Sequence, residues 1–388
     1  MKKLLTICAL LFAVYSHAQN DKAKIDSIKA LMKREQYLSA YKVMQTVETS
    51  GQELIPLVVV LFTSHSLGHN DQYDKWGFKD VNRSGQEAKE SVEFPVERLL
   101  AYGIQQFPKD CAMYFSSARF YSWMINQEKR YMPLESLREI RDYFIKKTSA
   151  DCYDEGYYYV VGYANSYLGK PAEAAQQLRQ AVSLNPQLVN GWIELANAYV
   201  QLKDPAKALE AGKTVWGMTK DRGLLAQASR IMGEAYELQN DNANALLRYT
   251  QADTLHRTEF FNQLALLRFM VKTNNAGAPN ALKAFIGGQG RESLHMYMDA
   301  YDVYRQYNKL SELAVFCEKY MQDWKERPNI VACTNFTLGM IYKDSNTARA
   351  KEHFRKAKEL GITASRFSPT RNHPATEKMV EEAFALIN

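Results

Sequence analysis

EGYYYVVGYANSYLGKPAEAAQQLRQAVSLNP, residues 155–186, is the stretch that decides the fold. Small and apolar residues recur in it at three- and four-residue steps, the period of an amphipathic helix. They form two runs, separated by Gly169-Lys170 and closed by Pro186. Gly162, Ala174 and Ala181 hold the small-residue places, with Leu178 between the last two. Moving on by about 34 residues, a period typical of helical-repeat arrays, brings Trp192, Leu195, Ala196, Ala198, Tyr199 and Ala208 into the same places. Met232, Gly233, Tyr236, Ala245, Tyr249 and Ala252 give a third copy. Leu338, Gly339, Tyr342, Ala350, Phe354 and Ala357 give another, one residue short in its turn. The small pairs Gly162/Ala174, Ala196/Ala208 and Gly233/Ala245 predict that the two helices of each copy approach closely. One such hairpin cannot bury its apolar face alone, so the copies must stack.

These residues resemble the tetratricopeptide repeat (TPR) family, whose motif runs W-x2-L-G-x2-Y and then A-x3-F-x2-A-x4-P. Residues 155–186 and 189–220 carry it best, although Gly212 and Val215 stand at late-helix places of the second copy; 226–257 and 332–361 also carry it. The resemblance implies an all-α, TPR-type α-solenoid of stacked antiparallel hairpins that binds a protein or peptide and performs no catalysis. It also implies that the first helices of the hairpins line a concave groove. By register that groove receives Phe115, Arg119 and Trp123, then Tyr159, Tyr163 and Tyr167. Asn190, Glu194, Asn197 and Gln201 follow, and then Arg230, Glu234 and Glu237. The three tyrosines are spaced i, i+4, i+8 and share one helix stripe. An aromatic wall beside amides and charges suits an extended peptide. Filling of gaps between hairpins is the other reading of the same rings, and small-ligand or glycan binding is the other reading of the surface. Where one TPR subclass clamps a carboxylate, this chain has Tyr159, Tyr163 and Glu194, so that chemistry is not expected.

Outward from the repeats the pattern loosens. Residues 111–127 carry Ser117, Ala118 and Tyr121 in first-helix register behind Pro108, and Leu134 to Lys147 reads as an additional helix. Lys22 to Lys33 and Gln36 to Val47 suggest a hairpin that begins the stack, and 68–91 a polar loop. Residues 262–328 are helical but broken at Asn274-Asn275, Gly277-Ala278-Pro279 and Gly287-Gly288-Gln289-Gly290. No run alternates like a half-buried strand. The expected organisation is a signal peptide at 1–18, irregular hairpins over 19–150, the best repeats over 151–260, degenerate repeats over 261–361, and a tail with a capping helix over 362–388.

The beginning of the chain predicts export. Lys2 and Lys3 precede an apolar run from Leu4 to Tyr15, and Ser16-His17-Ala18 suits cleavage before Gln19. The run falls short of the roughly 20 residues of a spanning helix. Cys8 lies in the middle of it, so lipidation there is not expected. The expected location is periplasmic or secreted, with no integral membrane segment after cleavage. Loss of the two lysines lowers the formal charge of +6 by two, too mild a balance to imply nucleic acid. Cys111, Cys152, Cys317 and Cys333 are scattered, which favours lone buried thiols over a disulfide scaffold or a CxxC site. Cys111 and Cys152 stand near neighbouring helix starts and are a pair that could bridge.

Other motifs are weak, and no cofactor is expected. His65 and His69, four apart with Asp71 and Asp74 nearby, could share a metal on a helix, but HSLGH lacks the glutamate of HExxH. A metal-dependent hydrolase built on them is a remote alternative. Asp80, Asn82 and Ser84 alternate like calcium ligands, yet Ser91 stands where the bidentate glutamate belongs. GGQG at 287–290 lacks the Lys and Ser/Thr of a phosphate loop. Asn82-Arg83-Ser84 and Asn335-Phe336-Thr337 match the short glycosylation pattern, which chance also produces.

Overall fold

The computed structural model describes residues 22–47, 52–70, 75–81, 85–127, 134–148, 150–257, 259–287, 293–363 and 376–387. The expected signal segment, Asp71, Asp74 and residues 82–84 lie outside these. The chain divides into two compact units, residues 1–129 with 139–161, and residues 130–138 with 162–388. No helix among the described residues is long and apolar enough to cross a membrane.

Unit 1 contains α1 (22–33), α2 (Tyr37–Met44), α3 (Leu54–His65), α4 (Val96–Gln106), α5 (Cys111–Gln127) and the greater part of α6 (Leu134–Lys147). Helices α1 and α2 form the expected opening hairpin. Its turn places Glu35 at φ 60°, and Gln36 N–H donates to the Leu31 carbonyl at 3.0 Å. Between α3 and α4 the expected polar loop is instead an antiparallel sheet, ordered β1 (Gly68–Asn70), β2 (Lys75–Val81) and β3 (Glu87–Glu93). This corrects the expectation that no strand is present. Trp76 and Phe78 alternate inward from β2 and are fully buried. They pack against Phe62 of α3 at ring separations of 4.7 and 5.1 Å, and Phe78 stacks on Tyr41 of α2 at 6.0 Å. β3 buries Val92 alone, so its sequence, EAKESVE, shows no apolar face. Cross-strand ion pairs hold it: Lys75 to Glu93 at 3.6 Å and Lys79 to Glu87 at 3.3 Å. Charged side chains of this kind also discourage a strand edge from pairing with foreign chains.

Asp80, a calcium-ligand candidate in the sequence, serves α2. Its carboxylate accepts from Leu38 N–H at 2.9 Å and Ser39 N–H at 3.0 Å, two helix-start donors with no intrahelical partner. Cys111 and Cys152 form a disulfide, which corrects the expectation of lone thiols; Cys317 and Cys333 are free and buried. Helix packing brings the start of α5 to the short 3-10 turn at Ala150–Cys152, a proximity that sequence spacing does not encode.

Besides the first residues of α6, unit 2 takes in the second part of α7 (Glu155–Tyr167). It continues through α8 (Pro171–Leu184), α9 (Val189–Gln201), α10 (Pro205–Met218), α11 (Arg222–Leu238), α12 (Asn242–Leu255), α13 (Phe260–Lys272) and α14 (Ala278–Gly287). Helices α15 (Leu294–Gln306), α16 (Leu310–Asp323), α17 (Pro328–Tyr342), α18 (Thr347–Glu359) and α19 (Thr376–Ala385) complete it. The hairpin turns share one device. Gly169, Lys203, Asn240, Asn274 and Asn308 all have φ between 55° and 73°, and they recur every 34 residues except for one interval of 37. After each, the next amide donates to the carbonyl five residues back, from Lys170 to Asn165 at 2.9 Å through Lys309 to Tyr304 at 2.8 Å. This is the Schellman ending, for which glycine and asparagine are the least strained residues. The second helices then start on N-cap carboxylates at Asp204 and Asp241, or on Pro171 and Pro205 in the first turn.

Residues 262–328, irregular in sequence, therefore contain two further hairpins, α13–α14 and α15–α16. Asn274-Asn275 and Gly277 are the turn of the first, and Ala278-Pro279 opens its second helix. The first helices form one layer, with α9 on α11, α11 on α13, α13 on α15 and α15 on α17. Each second helix packs against the next first helix. The close approach expected within hairpins is present: a Cβ added at Gly162 would lie 2.7 Å from Leu178 Cγ, and one at Gly233 2.9 Å from the Tyr249 ring. At the carboxyl end α19 covers α18, burying Val380 and Ala383 and setting Phe384 edge-on to Phe336.

Two outcomes follow. Replacing Cys111 and Cys152 by serine frees a 41-residue loop in the unfolded chain, and should lower the unfolding free energy by up to about 4 kcal/mol in denaturant titration. Gly233→Ala gains about 1 kcal/mol of helix propensity but drives a methyl into a fully buried ring, an overpacking that costs about 1–3 kcal/mol. Its denaturation midpoint should fall. Gly217→Ala, with open space around the added methyl, should raise it.

Candidate functional site

On α5, Phe115, Arg119 and Trp123 lie on one stripe, as their spacing predicts, but not in one environment. Phe115 is exposed, and Arg119 is exposed with Nη2 donating to Ser64 Oγ at 2.8 Å. Trp123 is half-buried, its ring 5.6 Å from Trp76 of the inserted sheet. The stripe is therefore open at its amino end and covered by β2 at its carboxyl end.

The tyrosine stripe of α7 does not form an accessible wall. Tyr159 is 2% exposed and Tyr163 0%; Tyr167 is only partly exposed, with its ring 4.6 Å from Tyr163. Glu194 of α9 is buried as well. These three residues, Tyr159, Tyr163 and Glu194, are corrections to the expected groove lining. Burial of Tyr159 and Tyr163 is in keeping with the alternative reading of the sequence, in which such rings fill gaps. In unit 2 Tyr167 also joins a polar network with Tyr163, Glu194 and Arg230. Burial, and then the charge of Glu194, push the Tyr167 phenol well above its ordinary value. Arg230 of α11 pairs with Glu234 at 2.6 Å, one turn further along that helix.

Of the expected groove residues on α9, those that remain accessible are amides. Asn190 and Asn197 are half-buried, and Gln201 is exposed and donates to Ser166 Oγ at 2.8 Å. Beyond them Glu237 is a hub. One oxygen accepts from Arg268 at 3.0 Å and from the Tyr249 hydroxyl at 2.8 Å, and the other from Lys272 at 2.8 Å. Val200, Glu234, Glu237, Leu238, Arg268 and Lys272 line a pocket of about 180 Å³ between α9, α11 and α13. Arg268 and Lys272 were missed because they lie in the stretch with weak repeat residues. The asparagine turns give the signal that finds them. Asn240 to Asn274 is one period, and that step carries Glu234 to Arg268 and Leu238 to Lys272.

The weaker motifs resolve structurally. α3 ends at His65 and β1 begins at Gly68, so His65 and His69 do not share a helix face. His65 instead stacks on Tyr37 at 4.1 Å. Among the described residues no group of three or more His, Cys, Asp or Glu is placed to hold a metal ion. Burial pushes the Cys317 thiol up to about 12, away from thiolate reactivity. Asn335 is 1% exposed inside α17 and donates to the Val331 carbonyl at 2.8 Å, which places it out of reach of glycosylation in the folded chain.

The Glu237 hub makes a pH prediction. Burial acts to raise its carboxyl, but the Arg268 charge and hydrogen bonds from Lys272 and Tyr249 outweigh it and hold the group below its ordinary 4.5. A carboxyl depressed in the folded state stabilises the fold above its unfolded value, and that contribution is lost as pH falls through the folded one. Urea titrations should therefore show Glu237→Gln less stable than wild type near neutrality. The gap should close as pH falls from 4.5 downward.

Residues 156–188 match the family model described as a tetratricopeptide repeat. No curated protein matches the chain. Among solved structures, a tetratricopeptide repeat protein from Parabacteroides merdae is 16% identical, covering 75% of this chain and 98% of that one with a TM-score of 0.36. TTC0263 from Thermus thermophilus is 18% identical over 47% of this chain and 98% of that one, TM-score 0.36. YrrB, a TPR protein with an unusual peptide-binding site, is 20% identical over 43% and 80%, TM-score 0.35. At such scores these three likenesses carry no argument. The family model and the recurring hairpin carry it: residues 156–188 are a tetratricopeptide repeat, set in a stack of helical hairpins of the kind that suggests binding of other proteins.

Proposed function

We propose that this protein is a non-enzymatic scaffold of the cell envelope that binds an extended segment of a partner protein along the first-helix layer of unit 2. The observation that carries the reading is the run of accessible amides and charges on successive first helices, Asn190, Asn197 and Gln201 on α9, Glu234 and Glu237 on α11, Arg268 and Lys272 on α13. Amide groups at repeat spacing suit the backbone of an extended peptide, and charges give it register. The pocket there, about 180 Å³, is smaller than the roughly 300–1,000 Å³ of small-molecule sites, which favours single side chains of a peptide over a compact ligand. Stacking on a sugar ring has less support, because Tyr159 and Tyr163 have no open face. The Cys111–Cys152 disulfide supports an oxidising compartment, in keeping with the export signal read at 1–18.

A photo-crosslinking residue at Asn197, compared with one at Leu247 on the outer helix α12, tests the binding face in the native host. A discrete adduct with one protein is expected at Asn197 and none at Leu247; equal adducts at both positions, or none at Asn197, would sink the reading. Osmotic-shock fractionation followed by thiol alkylation tests the compartment. Release with the periplasmic contents and only Cys317 and Cys333 alkylated after denaturation is expected. Retention in the cytoplasm with Cys111 and Cys152 alkylated too would count against an envelope role.

A further inference from the structure

A second pocket, of about 260 Å³, lies between α12, α13 and α14. Gln263, Leu266 and Met270 line it from α13 at i, i+3 and i+7, one stripe of that helix. Arg268 and Lys272 each stand two residues from Met270, about half a turn round the same helix, so this pocket is apart from the one they line. Asp253 lines it from α12, and Ala281 and Ala284 from α14.

Two acceptors in this pocket are unmet. Asp253 is the one charged residue of the lining among the described residues, and no hydrogen bond or ion pair reaches its half-buried carboxylate there. Burial pushes its carboxyl above the ordinary range, and the charge of exposed Arg257 opposes that without cancelling it. Gln263 is 5% exposed; its Nε2 donates to the Ala284 carbonyl at 3.5 Å, which orients the amide, and its buried Oε1 has no partner. A buried acceptor without a donor is costly to keep, and such groups are few in folded proteins. Around the two acceptors the walls are apolar: Leu266, Met270, Ala281 and Ala284. That lining does not suit a bare divalent ion, which takes about six or more oxygen ligands. The volume is below the roughly 300–1,000 Å³ of sites for compact small molecules and suits one extended chain.

We propose that this pocket takes a primary alkylammonium group, held between the Asp253 carboxylate and Gln263 Oε1 with its methylenes along Leu266 and Met270. An ammonium has three donors and no acceptor, so it can meet both oxygens at once. Its stem is apolar, as the walls require. A lysine side chain of another protein and a free alkylamine both carry this group. The site does not depend on the first-helix layer binding a partner.

The test uses the full chain, isotope-labelled at its methionine methyls, with the Met270 signal identified by its loss in Met270→Leu. Titration with n-pentylammonium should shift that signal saturably, whereas n-pentanol, of the same length without the charge, should not. Asp253→Asn should weaken the binding by about tenfold or more. That variant should remain folded, since it removes a carboxylate that burial disfavours. Nα-acetyl-lysine methylamide separates the sources. A shift of Met270 with this compound supports the site and assigns it to a partner's lysine; a shift with pentylammonium alone supports the site and assigns it to a free amine. No shift with either amine, an equal shift with pentanol, or undiminished binding in Asp253→Asn would overturn the proposal.

Discussion

The closeness of two helix backbones within each hairpin is the constraint from which the rest follows. At Gly162, Gly233 and Gly339 there is no room for a methyl group, because Leu178, Tyr249 and Phe354 of the paired helix occupy it. Opposite them Ala174, Ala245 and Ala350 are fully buried. Small residues at these places fix the distance between helices, and large ones around them lock the angle. Once distance and angle are set, each hairpin offers the next the same surface, and the first helices must lie side by side. The polar face of unit 2 is thus a consequence of packing on the opposite side of the same helices.

Polar residues within that layer add selectivity more than strength. Exposed ion pairs such as Lys356 with Glu352 contribute little in water. Arg230, Glu234 and Glu237 are different, since they are partly buried between first helices and each has a defined partner. An arrangement of this kind penalises a shifted packing of neighbouring hairpins, because a shift would leave a buried charge unpaired. It also explains how so many charged groups survive on a surface that adjoins the core.

The hairpins with small residues in place were legible in the sequence, and so was the all-α class. The α13–α14 and α15–α16 hairpins were legible only as degenerate repeats, because Leu267 and Tyr301 stand where Gly162 and Gly233 stand elsewhere, and asparagine turns resemble breaks. The sheet escaped notice since only Trp76 and Phe78 alternate, and β3 is built from glutamate, lysine and alanine, residues that favour helix. The disulfide depends on which helix ends meet in space. For the binding face, spacing established that Tyr159, Tyr163 and Tyr167 share a stripe, but a stripe can face a neighbouring helix as readily as solvent. The register of the turns was the better guide, and it leads to Arg268 and Lys272.

Repeat arrays are close to one-dimensional, and a pull on such a chain unravels it hairpin by hairpin from wherever the tension enters. The bridge between Cys111 and Cys152 changes that response in unit 1. Force travelling along the backbone passes through the sulfur atoms and bypasses the residues enclosed between them, which keep their slack. With 41 residues of separation and about 3.4 Å per extended residue, roughly 140 Å of contour length is withheld from any extension. The bridge makes this part of an otherwise elastic repeat chain a stiff link, one that gives way when the disulfide is reduced.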